Sequence, residues 1–247
     1  MPRVSLRKLV VLFLLSLFLS HPVLLNGQNA SVDSLYLWFD TQTGLLNSGL
    51  YASHEYVEEY QVINDKHRFF ESPNYLTGTV WSKDHPFHQV FLKYDLFEDQ
   101  LIVYPKGIRE ASAVKLNLAK VDSFQVKGRK FVKKNTVDVK SNSIHGFFEV
   151  LSKSTDFTLL KKHRKTDVRK LNRNRVYYEF KDKNEYALEY KGVLHVIKNR
   201  KDVLSLFPIS KDSQREMLAK RKGSELTDTG LRLLLQEIET HLTKQTG

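Results

Sequence analysis

Cysteine is absent from all 247 residues. Its absence excludes a disulfide scaffold, a thiolate metal site and a lipid-modified cysteine anchor. Exported animal or plant chains of this size commonly carry disulfides, so an exported chain without cysteine points to a bacterial source. Glycine (11) and proline (6) are sparse, and few glycines leave little material for backbone cradles around phosphates. No G-x-S-x-G elbow, H-E-x-x-H helix, phosphate-binding glycine loop or dinucleotide fingerprint occurs, so no catalytic residue is assigned. Cofactors are likewise not expected. Residues dispersed in sequence can still converge in space, which keeps an enzyme open.

Long apolar runs are also lacking, with one exception. Leu9 to Ser20 is apolar apart from two serines and follows Arg3, Arg7 and Lys8 with no acid among them. A membrane span needs about 20 residues, so the run suits the core of a signal peptide, with residues 1–27 removed. Leu25 fits poorly two positions before cleavage at Gly27, and an uncleaved anchor is the competing reading. The expected address is export, to the periplasm or the medium. Asn29-Ala30-Ser31 fits a glycosylation sequon, a weak signal alone.

Acidic charge is in deficit: 39 Lys and Arg stand against 28 Asp and Glu, a formal charge of +11. Removing the three leader cations leaves +8 on residues 28–247. Such a surface attracts lipid phosphates or anionic polysaccharide, although a basic pI also serves solubility alone.

What is present is a strand pattern. Leu76 to Pro105 reads as three strands. Gly78 marks a bulge or a close approach, Lys83 to Pro86 a turn, and Val90, Leu92 and Tyr94 alternate with Gln89, Phe91 and Lys93. Asp95 to Asp99 turns the chain into Gln100 to Tyr104. This segment, GTVW…LKYDLFEDQLIV, resembles one found in exported bacterial β-rich proteins of unknown function, and Asn199 to Pro208, NRKDVLSLFP, resembles their C-terminal helix start. The resemblance spans about half of the chain past the leader. It implies an architecture and an exported destination, and no catalytic residue.

Elsewhere, Ser34 to Asp40 is a strand or an amphipathic start, and Gly49 to Gln61 is strand-like. Val114, Leu116 and Leu118 alternate as a half-buried strand. Ser123 to Val126 and Lys130 to Val132 flank a Gly128 turn, and Gly146 to Leu151 and Phe157 to Leu160 are further strands. Val176 to Phe180, Glu185 to Tyr190 and Val193 to Ile197 form a second meander. Asn199 caps a short helix stopped by Pro208, and Ser210 caps a polar helix running to Lys222 and closed by Gly223. A third begins at Asp228 or Thr229, with Leu231, Leu234, Leu235, Ile238 and Leu242 on one face. The expected class is therefore α+β, mainly β: antiparallel meanders forming a sandwich or open barrel with a helical cap. Residues 1–27 are the leader, 28–198 a β-rich body and 199–247 a helical segment packed on it. The strands are too short for a lipid-embedded barrel, which needs about ten residues in each.

Lys161 to Arg175 is the sharpest compositional feature: Lys161, Lys162, Arg164, Lys165, Arg169, Lys170, Arg173 and Arg175 against Asp167 alone. Such density predicts an open, solvated loop, either an anion-binding arm or a linker between meanders. His85 and His88 beside Asp84 lack the further ligands that zinc needs, and Asp95, Glu98 and Asp99 lack calcium-loop spacing, so no metal site is assigned. Tyr177, Tyr178, Tyr186 and Tyr190 suit cross-strand pairing, or stacking on sugar rings. The first expectation is an exported, soluble, non-enzymatic envelope protein that binds an anionic or glycan partner such as envelope lipid or polysaccharide. Nucleic acid is disfavoured. The alternatives are an exported hydrolase with a dispersed active site, and a structural partner that adds a strand to another envelope protein.

Overall fold

The computed structural model describes residues 32–43, 50–51, 54–63, 65–105, 111–135, 144–220 and 225–246. The expected leader and cleavage site, the sequon and the expected helix end at Lys222 and Gly223 lie outside them. The chain divides into two compact units, 1–35 and 36–247, and the first is described only from Val32, where helix α1 (Val32–Thr43) begins. The second unit is mainly β. Among the described residues, eleven strands form one antiparallel sheet. They are β1 (His54–Glu55), β2 (Leu76–Ser82), β3 (His85–Asp95), β4 (Gln100–Tyr104), β5 (Val114–Lys115), β6 (Ser123–Val126), β7 (Arg129–Asn135), β8 (His145–Lys153), β9 (Phe157–Lys162), β12 (Glu185–Tyr190) and β13 (Val193–Ile197). Their spatial order is β1-β5-β4-β3-β2-β6-β7-β8-β9-β12-β13, open at both ends. The remaining two strands, β10 (Lys165–Asn172) and β11 (Arg175–Asp182), pair only with each other.

Four hairpins turn on two residues that both have positive φ: Lys83–Asp84, Lys127–Gly128, Arg173–Asn174 and Lys191–Gly192. Backbone of this kind twists with the flanking strands, and it fixes the register of each pair. In β2 the register shifts between Gly78 and Val80. A Cβ at Gly78 would stand 2.4 Å from the Gln125 carbonyl oxygen, so the bulge and the close approach to β6 coincide there.

One face of the sheet carries two apolar clusters. Val90, Leu92, Tyr94, Leu101, Val103, Phe124 and Phe131 build the first. Phe157, Leu159, Tyr186 and Leu188 build the sheet side of the second, which three helices cover. These are α2 (Arg200–Ser205), capped by Asn199 in a reciprocal box with Asp202, α3 (Lys211–Ala219), capped by Ser210, and α4 (Asp228–Thr246). Leu231, Leu234, Leu235 and Ile238 of α4 are fully buried, as their spacing requires.

Several expectations need correction. Ser34 to Asp40 is helical within α1; Leu35, Trp38 and Phe39 fall at helical spacing. Between Gly49 and Gln61 the described strand is only His54–Glu55. The Val114 strand ends after two residues, because the Asn117 side chain accepts from the Ala119 N–H and starts a 3-10 turn at Leu118–Lys120. The largest correction concerns Lys161 to Arg175, which is not an open loop. Lys161 and Lys162 finish β9, Lys165 to Asn172 is β10, and Arg175 opens β11. Consequently β11 pairs with β10 and not with β12, whose partners are β9 and β13. The β10–β11 hairpin is an excursion between two neighbouring strands of the main sheet.

Candidate functional site

The hairpin is rooted by its base. The Lys165 N–H donates to the Leu96 carbonyl, the Phe180 N–H to Lys66, and the Tyr178 N–H and carbonyl bond Gln61 and Ile63. Tyr178 and Phe180 pack edge-on against Tyr60, and Phe180 also against Phe97. The segment they grip is fixed in turn by Arg68. Its buried guanidinium bonds Asp95 and Glu58, donates to the Tyr56 hydroxyl at 2.9 Å and stacks 4.5 Å from the Tyr60 ring. Burial raises the Asp95 carboxyl, and it stays raised against the opposing pull of Arg68 and the N–H groups of Glu98 and Phe97.

Of the eight basic residues singled out in the sequence, four belong to the body. Lys161 Nζ holds Asp228 at 2.9 Å, and Lys162 Nζ, buried, holds Asp99 at 2.7 Å. Arg164 faces Glu185 at 3.4 Å, and Lys165 Nζ donates to the His67 carbonyl at 2.7 Å with Asp182 at 3.9 Å. Burial pushes the Lys162 and Lys165 ammonium groups down from the usual lysine value, against the pull of these carboxylates. The other four lie outward. Arg169 has Asp167 at 3.4 Å on the surface and lies 5.9 Å over the Tyr178 ring. Lys170, Arg173 and Arg175 are exposed, and among the described residues no acid pairs with them.

Register shows where the support ends. Tyr178 is paired with Arg169 and, among the described residues, is the last one whose backbone bonds the body. Residues 170–177 overhang it, with no acid among them. At about 3.3 Å per strand residue the overhang reaches roughly 10 Å, comparable to the Debye length of about 8 Å at physiological salt. The body's carboxylates therefore screen these cations poorly. The tip also presents Leu171 (75% exposed) and its cross-strand partner Val176 (49%).

The remaining candidates are dispersed. His85 bonds Asp40 at 3.2 Å and His88 meets Thr79 at 3.4 Å. Asp95, Glu98 and Asp99 serve three different cations: Arg68, Lys115 and Lys162. Among the described residues no group of three or more His, Cys, Asp or Glu is placed to hold a metal ion. Tyr178 stacks along its own strand on Phe180, Tyr190 packs on Phe207, and the Tyr186 hydroxyl donates to Asp228 at 2.6 Å. Tyr190 is the cross-strand register partner of Phe157, while Tyr177, Tyr178 and Tyr186 are opposite Lys170, Arg169 and Lys161, so cross-strand aromatic pairing holds for Tyr190 and the four form no common platform.

The sequence reading missed a polar seam between the two apolar clusters. In one row across the sheet, Glu149, Lys161 and Tyr186 follow Phe131 as register partners. Glu149 meets His163 Nε2 at 2.5 Å and Arg129 at 3.7 Å. Asp228, in the first turn of α4, receives both Lys161 and Tyr186. There the helix macrodipole also favours a carboxylate. Burial and Asp228 push the Tyr186 hydroxyl well up, so it stays a donor. Beside this seam lies an open cleft of about 910 Å³ that also meets Glu185, Lys198 and Thr227. The partners are far apart in sequence, and no local spacing announces them. No helix among the described residues is long and apolar enough to cross a membrane. No protein-family model, curated protein or solved structure matches the chain.

Proposed function

We propose that this is an exported, non-enzymatic protein of the cell envelope that binds an anionic partner through the outer half of the β10–β11 hairpin. One observation carries the reading: the cations of the basic stretch that have no carboxylate partner among the described residues, Lys170, Arg173 and Arg175, are gathered on one overhang. Cations already paired with carboxylates bring little net charge to a polyanion, whereas unpaired ones release its counterions. The basic n-region and apolar run of the leader support export. The test is affinity for heparin across a salt series. Affinity should fall as salt rises, and Lys170→Gln/Arg173→Gln/Arg175→Gln should weaken it and flatten the salt slope by about one unit per cation removed. No salt-dependent binding by the wild type would remove the proposal.

A further inference from the structure

The anionic partner has a chemistry of its own to match, because the hairpin tip is not only cationic. Leu171 and Val176 are a register pair at the last apolar position before the Arg173–Asn174 turn, and both side chains face solvent. A single exposed leucine is ordinary. A paired Leu and Val at the end of an overhanging hairpin, with Lys170, Arg173 and Arg175 next to them in the chain, is a different arrangement. Alternation places Leu171 and Val176 on one face of the ribbon, and Lys170 and Arg175 on the other. A soluble polyanion would use the cations and leave the apolar pair in water. A lipid surface uses both, since it presents phosphates at its rim and acyl chains just beneath.

Resting on the proposed function, we infer that the hairpin tip docks end-on to an anionic lipid bilayer, with Leu171 and Val176 entering the headgroup–acyl boundary while Lys170, Arg173 and Arg175 contact lipid phosphates. The turn suits this task. Arg173 and Asn174 both take positive φ, so the ribbon reverses in two residues and leads with its tip. The anchor is a weak one. Each Lys or Arg near an anionic leaflet contributes roughly fivefold to partitioning, so three give on the order of a hundredfold, reversible by salt. Two buried aliphatic side chains add a part that salt does not screen.

The experiment is co-sedimentation of the full chain with phosphatidylcholine vesicles, with and without phosphatidylglycerol, beside heparin affinity for the same samples. Two variants separate the terms: Leu171→Ser/Val176→Ser, which keeps every charge, and Lys170→Gln/Arg173→Gln/Arg175→Gln, which keeps the apolar pair. Both change only unsupported residues, so their melting temperatures should match the wild type. The expected result is binding to phosphatidylglycerol vesicles that falls about tenfold or more in the serine variant, with heparin affinity unchanged. The glutamine variant should lose both. Wild-type binding to heparin without binding to vesicles, or equal vesicle binding by wild type and serine variant, would overturn the lipid inference and leave the anion-binding reading standing. Binding to neither would overturn both.

Discussion

Gly146 is the residue at which two non-adjacent parts of the sheet meet. Its φ is +101°, and a Cβ there would fall 1.7 Å from Asp99 Oδ2, the carboxylate that also holds Lys162 and the Tyr94 hydroxyl. The β3–β4 turn therefore closes directly onto the backbone of β8. Gly146→Ala should destabilise by more than about 1 kcal/mol through backbone strain alone, with the clash in addition. In a double-mutant cycle with Asp99→Ala, measured by urea denaturation, the alanine cost should fall, because the clash is with that carboxylate. Additive effects would show that the two do not touch. Asp228 tests the seam in a different way. Burial raises its carboxyl, but Tyr186 and Lys161 outweigh burial and hold it below the usual carboxylate value. A depressed folded pKa means that the contribution is complete above the unfolded pKa and is lost as pH falls through the folded one. Asp228→Asn should cost about 1 kcal/mol near neutrality, a modest figure because the carboxylate is partly exposed and screened. That difference should shrink toward zero in urea titrations below about pH 4, the usual carboxylate range. A cost that does not change with pH would contradict the assignment.

At the scale of elements, the C-terminal helices were the most legible part. Caps and stripes are local, and Asn199, Ser210 and the Leu231 to Ile238 face hold where the sequence placed them. Leu235→Ala should cost about 2–5 kcal/mol, whereas Leu233→Ala, on the exposed side of α4, should stay within about 0.5 kcal/mol in thermal or denaturant melts. Equal effects would show that α4 is not docked by this face. The β2–β4 meander was legible for the same reason, through period-two alternation and turn chemistry. The β10–β11 hairpin was not, because charge density was read as evidence against a strand. The signal that would have found it is Asn174 after Arg173. Asparagine tolerates positive φ, and the pair repeats the basic-then-small turn of Lys127–Gly128 and Lys191–Gly192. Cations on one face of an overhanging ribbon reach water as readily as on a loop.

At the scale of the whole molecule, the basic stretch from Lys161 to Arg175 separates, among the described residues, into paired and unpaired cations. Lysines and arginines at the hairpin base and along the polar seam are neutralised by carboxylates that arrive from distant segments, such as Lys161 by Asp228 and Lys162 by Asp99. Sequence alone cannot see those partners, and so a candidate site of eight cations shrinks to the three of the overhang. The consequence for mutagenesis is direct. Lys161→Gln and Lys162→Gln should lower stability by on the order of 1–3 kcal/mol by breaking charge-assisted contacts, while Lys170→Gln and Arg175→Gln should leave the melting temperature unchanged. The central claim is that the hairpin tip binds anions as a site, and not as a share of a diffuse positive surface. A charge-matched comparison tests it most directly. One variant carries Lys170→Gln/Arg173→Gln/Arg175→Gln; the other removes the same charge from exposed positions elsewhere, Lys127→Gln/Lys201→Gln/Lys211→Gln. Heparin affinity is measured for both across a salt series. The account predicts that the hairpin variant loses most of the affinity and of the salt slope, and that the control stays close to the wild type. Equal losses in the two variants would contradict it.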